Sequence, residues 1–260
     1  MHELKDKIAI ITGGGYGIGR QIALAYARAG AKLVLAARTP GPLEEARAEV
    51  AKLGAPAVLV RADVAKEADC ARMVDETMSA FGRVDILVNN AGIAGPTKRS
   101  TEMSLSEWQE VLDINLTGAW LASRAAIPVM VKQSGGNILM ISSGAGRRGY
   151  PLRSPYAASK WAMIGLTQTL AGEWGANGIR VNCICPGAVE GDRIERVIRA
   201  RAEAMGAPYD QVKKGFTATA ALQRMVTEDE VARVALFLAS DLATGVTGQT
   251  INVDAGNIMN

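Results

Sequence analysis

The 260-residue chain has a single histidine, His2, beside its N-terminus. That leaves no basis for a Ser-His-Asp triad, a histidine general base or a His-rich zinc site, and no metal is expected. Cysteine is scarce as well. Cys70, Cys183 and Cys185 are odd in number and lack the spacing of a disulfide framework or a zinc cluster. A reducing, cytoplasmic setting is the natural reading, with Cys183 and Cys185 as packed core thiols in a strand pattern. Aromatic residues are 5% of the chain, so no large aromatic-lined pocket is evident. No run of 18 apolar residues occurs, and residues 1–7 are polar, so neither a membrane span nor a targeting leader is expected. Lys and Arg number 29 against 26 Asp and Glu, a net charge of +3. That excess is too small to argue for nucleic acid or an anionic membrane as partner.

What the chain does have is alternation. Short, nearly continuous apolar runs lie at 8–11, 33–37, 57–60, 86–88, 138–141, 179–184 and 250–253. Stretches with helical spacing lie between them, at 18–29, 43–53, 68–81, 105–130, 156–174 and 228–238. Strands that are apolar on both faces are those covered by helices on both sides. The pattern predicts an α/β fold: a single-domain, Rossmann-type, doubly wound parallel sheet of about seven strands, spanning 1–260. One stretch, 188–221, breaks the rhythm. It is polar and charged, follows Pro186-Gly187, and reads as an insertion serving as a substrate loop or lid.

The first strand runs into Thr12-Gly13-Gly14-Gly15-Tyr16-Gly17-Ile18-Gly19 and then a helix. Glycines there let the backbone turn tightly and approach a phosphate, which the helix N-terminus attracts. The spacing differs from G-x-G-x-x-G, and a tight turn without a ligand is the plainer alternative. After the second strand, where a dinucleotide fold places an acid on the ribose, stand Arg38 and Thr39. An arginine suits a 2′-phosphate, so NADP(H) is preferred, with NAD(H) possible.

Tyr156 and Lys160 are four residues apart, on one face of a helix. An ammonium beside a phenol favours the phenolate, and a tyrosine tuned that way can exchange a proton with a carbonyl oxygen. Ser143, thirteen residues upstream, can hydrogen-bond the same oxygen.

With Thr12-Gly13-x-x-x-Gly17-x-Gly19, Asp63, Asn89-Asn90-Ala91-Gly92, Asn115, Ser143, Tyr156-x-x-x-Lys160 and Pro186-Gly187 in order, the sequence resembles the short-chain dehydrogenase/reductase family. The resemblance covers essentially the whole chain. It implies an NAD(P)-dependent oxidoreductase interconverting a ketone or aldehyde with an alcohol. Tyr156 would be the acid/base. Lys160 would depress its pKa and hold the nicotinamide ribose, Ser143 would orient the carbonyl, and Asn115 would keep a helix distortion and a water relay. The implied cofactor cleft comprises Thr12, Gly13, Gly15, Tyr16, Gly17, Ile18, Gly19, Arg38, Thr39, Asp63, Val64, Asn90, Ala91, Gly92, Tyr156, Lys160, Pro186, Gly187 and Val189. Plainer roles exist for some: Asp63 as a helix N-cap, Asn115 as a satisfier of helical backbone groups. The alternative function is a catalytically silent, cofactor-binding sensor or structural member.

The sequence departs from the family at Gly191, where many members have a threonine on the nicotinamide amide. It departs again at Tyr16, where NADPH users often carry a basic residue. The resemblance also implies a homotetramer, built through the helices near 105–130 and 156–174 and the C-terminal segment. The expected substrate wall is unusually basic, with Lys98, Arg99, Arg147, Arg148, Arg153 and Arg193. Arginine pairs bidentately with carboxylate, sulfonate or phosphate. An anionic small-molecule substrate is therefore one reading, with Ala94, Arg148, Tyr150, Arg153 and Arg193 as substrate residues. A solvated rim is the other.

Overall fold

β1 (Ile8–Thr12) is buried at every position, as a run apolar on both faces must be when helices cover both sides of its sheet. The computed structural model describes residues 3–259, so His2 lies outside them. β2 (Lys32–Ala37), β3 (Ala57–Arg61), β4 (Ile86–Asn89), β5 (Gly136–Ile141), β6 (Ile179–Pro186) and β7 (Thr250–Val253) join β1 in one sheet. Its order is β3-β2-β1-β4-β5-β6-β7, and every pairing is parallel. The seven strands lie where the apolar runs predict, each within about two residues at the ends.

The helices are α1 (Gly17–Arg28), α2 (Pro40–Lys52), α3 (Glu67–Phe81), α4 (Leu105–Leu112), α5 (Gly118–Lys132), α6 (Ser154–Trp174), α7 (Asp192–Met205), α8 (Tyr209–Gly215) and α9 (Glu228–Ala239). Two apolar cores flank the sheet. On one face Ile22, Leu43, Val50, Val231 and Leu238 of α1, α2 and α9 pack on Ala9, Ile11, Leu33 and Leu35. On the other, Met73, Ala122, Met130 and Met163 of α3, α5 and α6 pack on Ile10, Val34, Leu87 and Ile138. Successive strand residues thus feed opposite cores, as the period of two requires.

Two regions differ from the expected pattern. The helix predicted over 105–130 is continuous to Lys132, but a π-helical turn at Asp113–Thr117 interrupts it. Such turns insert one residue and recur at functional sites. The stretch Leu105–Lys132 is long and apolar enough to cross a membrane by length and composition, yet 56% of its apolar window is buried inside the protein.

Within 188–221 the chain forms two helices, α7 and α8, that the periodicity reading did not assign. Their abundant charges mask a helical repeat. Ile194, Ile198 and Ala202 recur every four residues and pack with Val212 and Met225 in a small cluster of their own.

The strand order reverses direction between β1 and β4, and the loops leaving the carboxyl ends of those strands diverge there. Open α/β sheets bind ligands at such a switch point.

Candidate active site

The β1–α1 turn is tied to β4 by side chains rather than by shape alone. Thr12 Oγ1 donates to Val88 O (3.1 Å) and accepts from the amides of Asn90 (3.0 Å) and Ala91 (3.1 Å). Asn90 Nδ2 donates back to Thr12 O (3.0 Å) and Gly13 O (3.2 Å). Gly13 has φ +67°, and a Cβ there would lie 2.9 Å from Asn90 Nδ2. A Cβ on Gly19 would overlap Gly13 O and Asn90 Nδ2. Those positions are glycine because the turn, α1 and β4 meet without room for a side chain. α1 starts with no side-chain cap from Tyr16 and no acidic residue in its first turn. Its first N–H groups therefore remain open to an anion such as a dinucleotide diphosphate.

A cavity of about 690 Å³ opens from this turn. It is lined by Gly13, Tyr16, Gly17, Ile18, Asn90, Ala91, Gly92, Ser143, Tyr156, Lys160, Pro186, Gly187 and Val189, together with Arg148, Tyr150, Arg153 and Arg193. Other residues singled out in the sequence lie outside that lining. Thr12 and Gly19 hold the turn from behind. Gly15 faces α2, where a Cβ would meet Pro42 at 3.0 Å. Arg38 and Thr39 are exposed at the end of β2. Asp63 does not cap α3, since Lys66 occupies the N-cap position. Instead Asp63 Oδ1 accepts from the amide of Ala65 (3.2 Å), closing a turn after β3. Val64 is buried beside Gly118. Ala94 is half-buried in the loop after β4.

The chemistry lies at the floor. Ser143 follows β5, its Oγ accepts from the amide of Ala145 (3.1 Å), and its hydroxyl helps to lower the Tyr156 pKa. Lys160 is buried, one turn beyond Tyr156 on α6. Its Nζ donates to Ile141 O (2.7 Å) and sits 5.9 Å from the Tyr156 ring centroid. Burial pushes the Tyr156 pKa up, but Arg193, Lys160, the Ser143 hydroxyl and Arg153 together outweigh it and hold the phenol below its usual range. Burial lowers the Lys160 pKa, which Tyr156 opposes. Asn115 sits in the π-helical turn. Its Oδ1 accepts from Ile93 N (2.8 Å), and its Nδ2 donates to Ile93 O (3.0 Å) and Ser159 Oγ (3.1 Å). It thus pins the loop after β4 to α6, rather than satisfying backbone groups of its own helix.

The six basic residues of the expected wall separate. Arg148, Arg153 and Arg193 line the cavity. Lys98 pairs with Glu107 (2.6 Å) away from it, and Arg99 is exposed. Arg147 stands outside the lining. Arg196, Phe216, Glu228, Asn257 and Ile258, none of them among the expected site residues, also line the cavity. For Arg196 the signal was its place one turn after Arg193. Nothing local marks the others, which arrive from α8, α9 and the segment after β7. Glu228 is half-buried beside Gly17 and Gly191, and burial raises its carboxyl above the usual range.

Residues 13–257 match the family model described as enoyl-(acyl carrier protein) reductase. A 3-oxoacyl-[acyl-carrier-protein] reductase of Synechocystis sp. is 38% identical over 261 residues, covering all of both chains. Among solved structures, levodione reductase superposes with a TM-score of 0.93 at 33% identity, covering 97% of this chain and 98% of that one. NAD⁺-bound xylitol dehydrogenase superposes with a TM-score of 0.95 at 30% identity, covering 97% and 99%.

Proposed function

Because the chain belongs to the short-chain dehydrogenase/reductase family and is an oxidoreductase that uses a nicotinamide cofactor, we propose that it interconverts a ketone or aldehyde with an alcohol, prefers NADP(H), and acts on an anionic substrate. The observation that carries the reaction type is the convergence of Ser143, Tyr156 and Lys160 on the cavity floor, with the phenol held below its usual pKa.

A nicotinamide bound in the cleft supplies the hydride for reduction and accepts it in oxidation. The chain's own residues handle the oxygen. Ser143 Oγ and the Tyr156 hydroxyl hydrogen-bond the carbonyl oxygen together. In reduction Tyr156 gives that oxygen its proton, and in oxidation the phenolate takes one from the alcohol. Lys160 and Arg193 stabilise the phenolate as it forms. Arg38 and Thr39, with no carboxylate between them, suit a 2′-phosphate and support the cofactor preference. A cytoplasmic homotetramer is proposed as the assembly. Trp120 on α5 and Trp161 on α6 stay 42% and 51% exposed in the single chain, apolar surface such an assembly would cover.

Initial rates of NADPH and NADH oxidation with a ketone and aldehyde panel test this reading, with the reverse reaction on the matching alcohols. Turnover that disappears in Tyr156→Phe supports it. Cofactor binding without turnover in either direction would replace it with the silent, cofactor-binding reading.

A further inference from the structure

Among the described residues Arg153 is the one buried arginine, 5% exposed, and it lines the cavity beside the catalytic phenol. Its surroundings do not neutralise it. Nη1 donates to the neutral Thr97 Oγ1 (3.2 Å), and Nε is buried with no partner. Its guanidinium carbon stands 5.5 Å from the Tyr156 ring centroid.

Among the described residues no carboxylate reaches it. Of the acids on the cavity wall, Glu190 and Asp192 are exposed, and Glu228 stands against Gly17 and Gly191. Asp254 accepts from the amides of Gly256 and Ile258. No ion pair joins any of these acids to Arg148, Arg153, Arg193 or Arg196 among the described residues. Arg193 instead donates to Gly92 O (3.3 Å). Burial lowers the Arg153 pKa, and Arg193 and Arg201 add to that while the two tyrosines oppose it. A buried guanidinium without a counter-charge is costly unless something binds it.

We propose that this counter-charge is the substrate's own carboxylate: Arg153 is the anchor for short oxo acids and the corresponding hydroxy acids. The proposal rests on the hydride-transfer reading of the same site and deepens it. The carboxylate would sit at a charge-assisted distance of about 2.7–2.9 Å from the guanidinium and the carbonyl oxygen about 2.7 Å from the phenol, so the number of carbon atoms between the two groups is the variable to scan. In reduction the carbonyl carbon gains the hydride of the reduced nicotinamide, its oxygen gains the Tyr156 proton, and the carboxylate is unchanged. Solvent then reprotonates Tyr156. Arg193 also lines the cavity but is exposed, so Arg153 is the discriminating residue.

The test pairs acids with their neutral esters: pyruvate, acetoacetate and levulinate against the corresponding methyl esters, at constant ionic strength with chloride. Two readouts are taken on the wild-type protein, Arg153→Leu and Arg153→Lys. One is kcat/KM with NADPH and NADH. The other is the thermal shift that each compound induces in the protein–cofactor mixture. The proposal expects acetoacetate or levulinate to exceed its ester at least tenfold in kcat/KM. It also expects these acids, but not chloride or the esters, to raise Tm. Arg153→Leu should abolish both differences, read as acid-to-ester ratios within the variant because Arg153 also helps lower the Tyr156 pKa, and Arg153→Lys should retain part of each. Esters that match or beat the acids in the wild type overturn the proposal and leave the oxidoreductase reading intact. Acid-specific thermal shifts that vanish in Arg153→Leu, with no turnover of any compound, sustain the anchor and overturn the hydride-transfer reading instead. Arg153→Leu that keeps its native Tm and the acid preference also overturns the proposal.

Discussion

Lys160 Nζ donates a 2.7 Å hydrogen bond to the carbonyl oxygen of Ile141, the last residue of β5. The strand that delivers Ser143 to the cavity therefore also anchors the ammonium that acts on Tyr156. Ser142 completes the junction, its Oγ donating to Lys160 O (2.7 Å). Serine, tyrosine and lysine are held by one β5–α6 contact, which brings the end of the strand onto the first turns of the helix.

Removing the acid/base should separate chemistry from binding. Tyr156→Phe is expected to lower kcat by about 10²–10⁴-fold while changing cofactor Kd by less than a few-fold. Stopped-flow turnover and cofactor fluorescence titration check the two parts. Equal losses in both would place Tyr156 in the binding machinery rather than the chemistry.

The pH profile follows from the lowered Tyr156 pKa. Alcohol oxidation needs the phenolate, so its kcat/KM should rise with pH to a plateau, with a midpoint below that of an ordinary tyrosine. Carbonyl reduction needs the phenol and should fall over the same range. Arg193 is the largest of the influences lowering this pKa. Arg193→Ala should therefore move both midpoints upward, and an unmoved midpoint would assign the titration to another group.

Cofactor choice is expected to turn on the end of β2. Arg38→Asp should invert the NADPH-to-NADH ratio of kcat/KM, because a carboxylate repels the 2′-phosphate and accepts from the ribose 2′-hydroxyl. Steady-state rates with both cofactors measure it. A ratio unaffected by the change would place the discriminating contact elsewhere.

The glycine turn should be intolerant at one position above all. In Gly19→Ala the added methyl overlaps Gly13 O and Asn90 Nδ2, so the turn must open away from β4. Loss of cofactor binding is expected, with a lower Tm. By contrast Gly41→Ala, on α2 with open space around its Cα, should leave both unchanged.

Stability away from the site should depend on Tyr26. It is fully buried, and its hydroxyl donates to Ala235 O (3.0 Å), joining α1 to α9. Tyr26→Phe removes that α1–α9 hydrogen bond, while Ala235 O keeps its place in the helical ladder, and should cost about 0.5–1.5 kcal/mol in chemical denaturation.

The strands and most helices were legible because each apolar run reports its own periodicity. The π-helical turn leaves no mark in the local periodicity, where Asn115 reaches the backbone of Ile93 across the fold, and only the family resemblance pointed to a helix distortion at Asn115. α7 and α8 were missed because charge dominates the composition there, while Ile194, Ile198 and Ala202 still keep helical spacing. Asp63 also read as a helix cap, a role excluded by Lys66 at the N-cap position of α3 and by the turn to Ala65.

By itself the sequence determined the alternating α/β pattern, the glycine turn and the Tyr156–Lys160 pair, since each depends on spacing between near neighbours. The tertiary structure decided which arginines face the cavity. Lys98 and Arg153 lie in equally basic stretches, yet one is paired with Glu107 and the other is buried beside Tyr156. It also decided that Glu228 and Ile258 join the wall. Those outcomes depend on how the segments around 98, 153, 228 and 258 pack together, where burial and the presence or absence of a counter-charge are properties of the assembled fold and not of any local pattern.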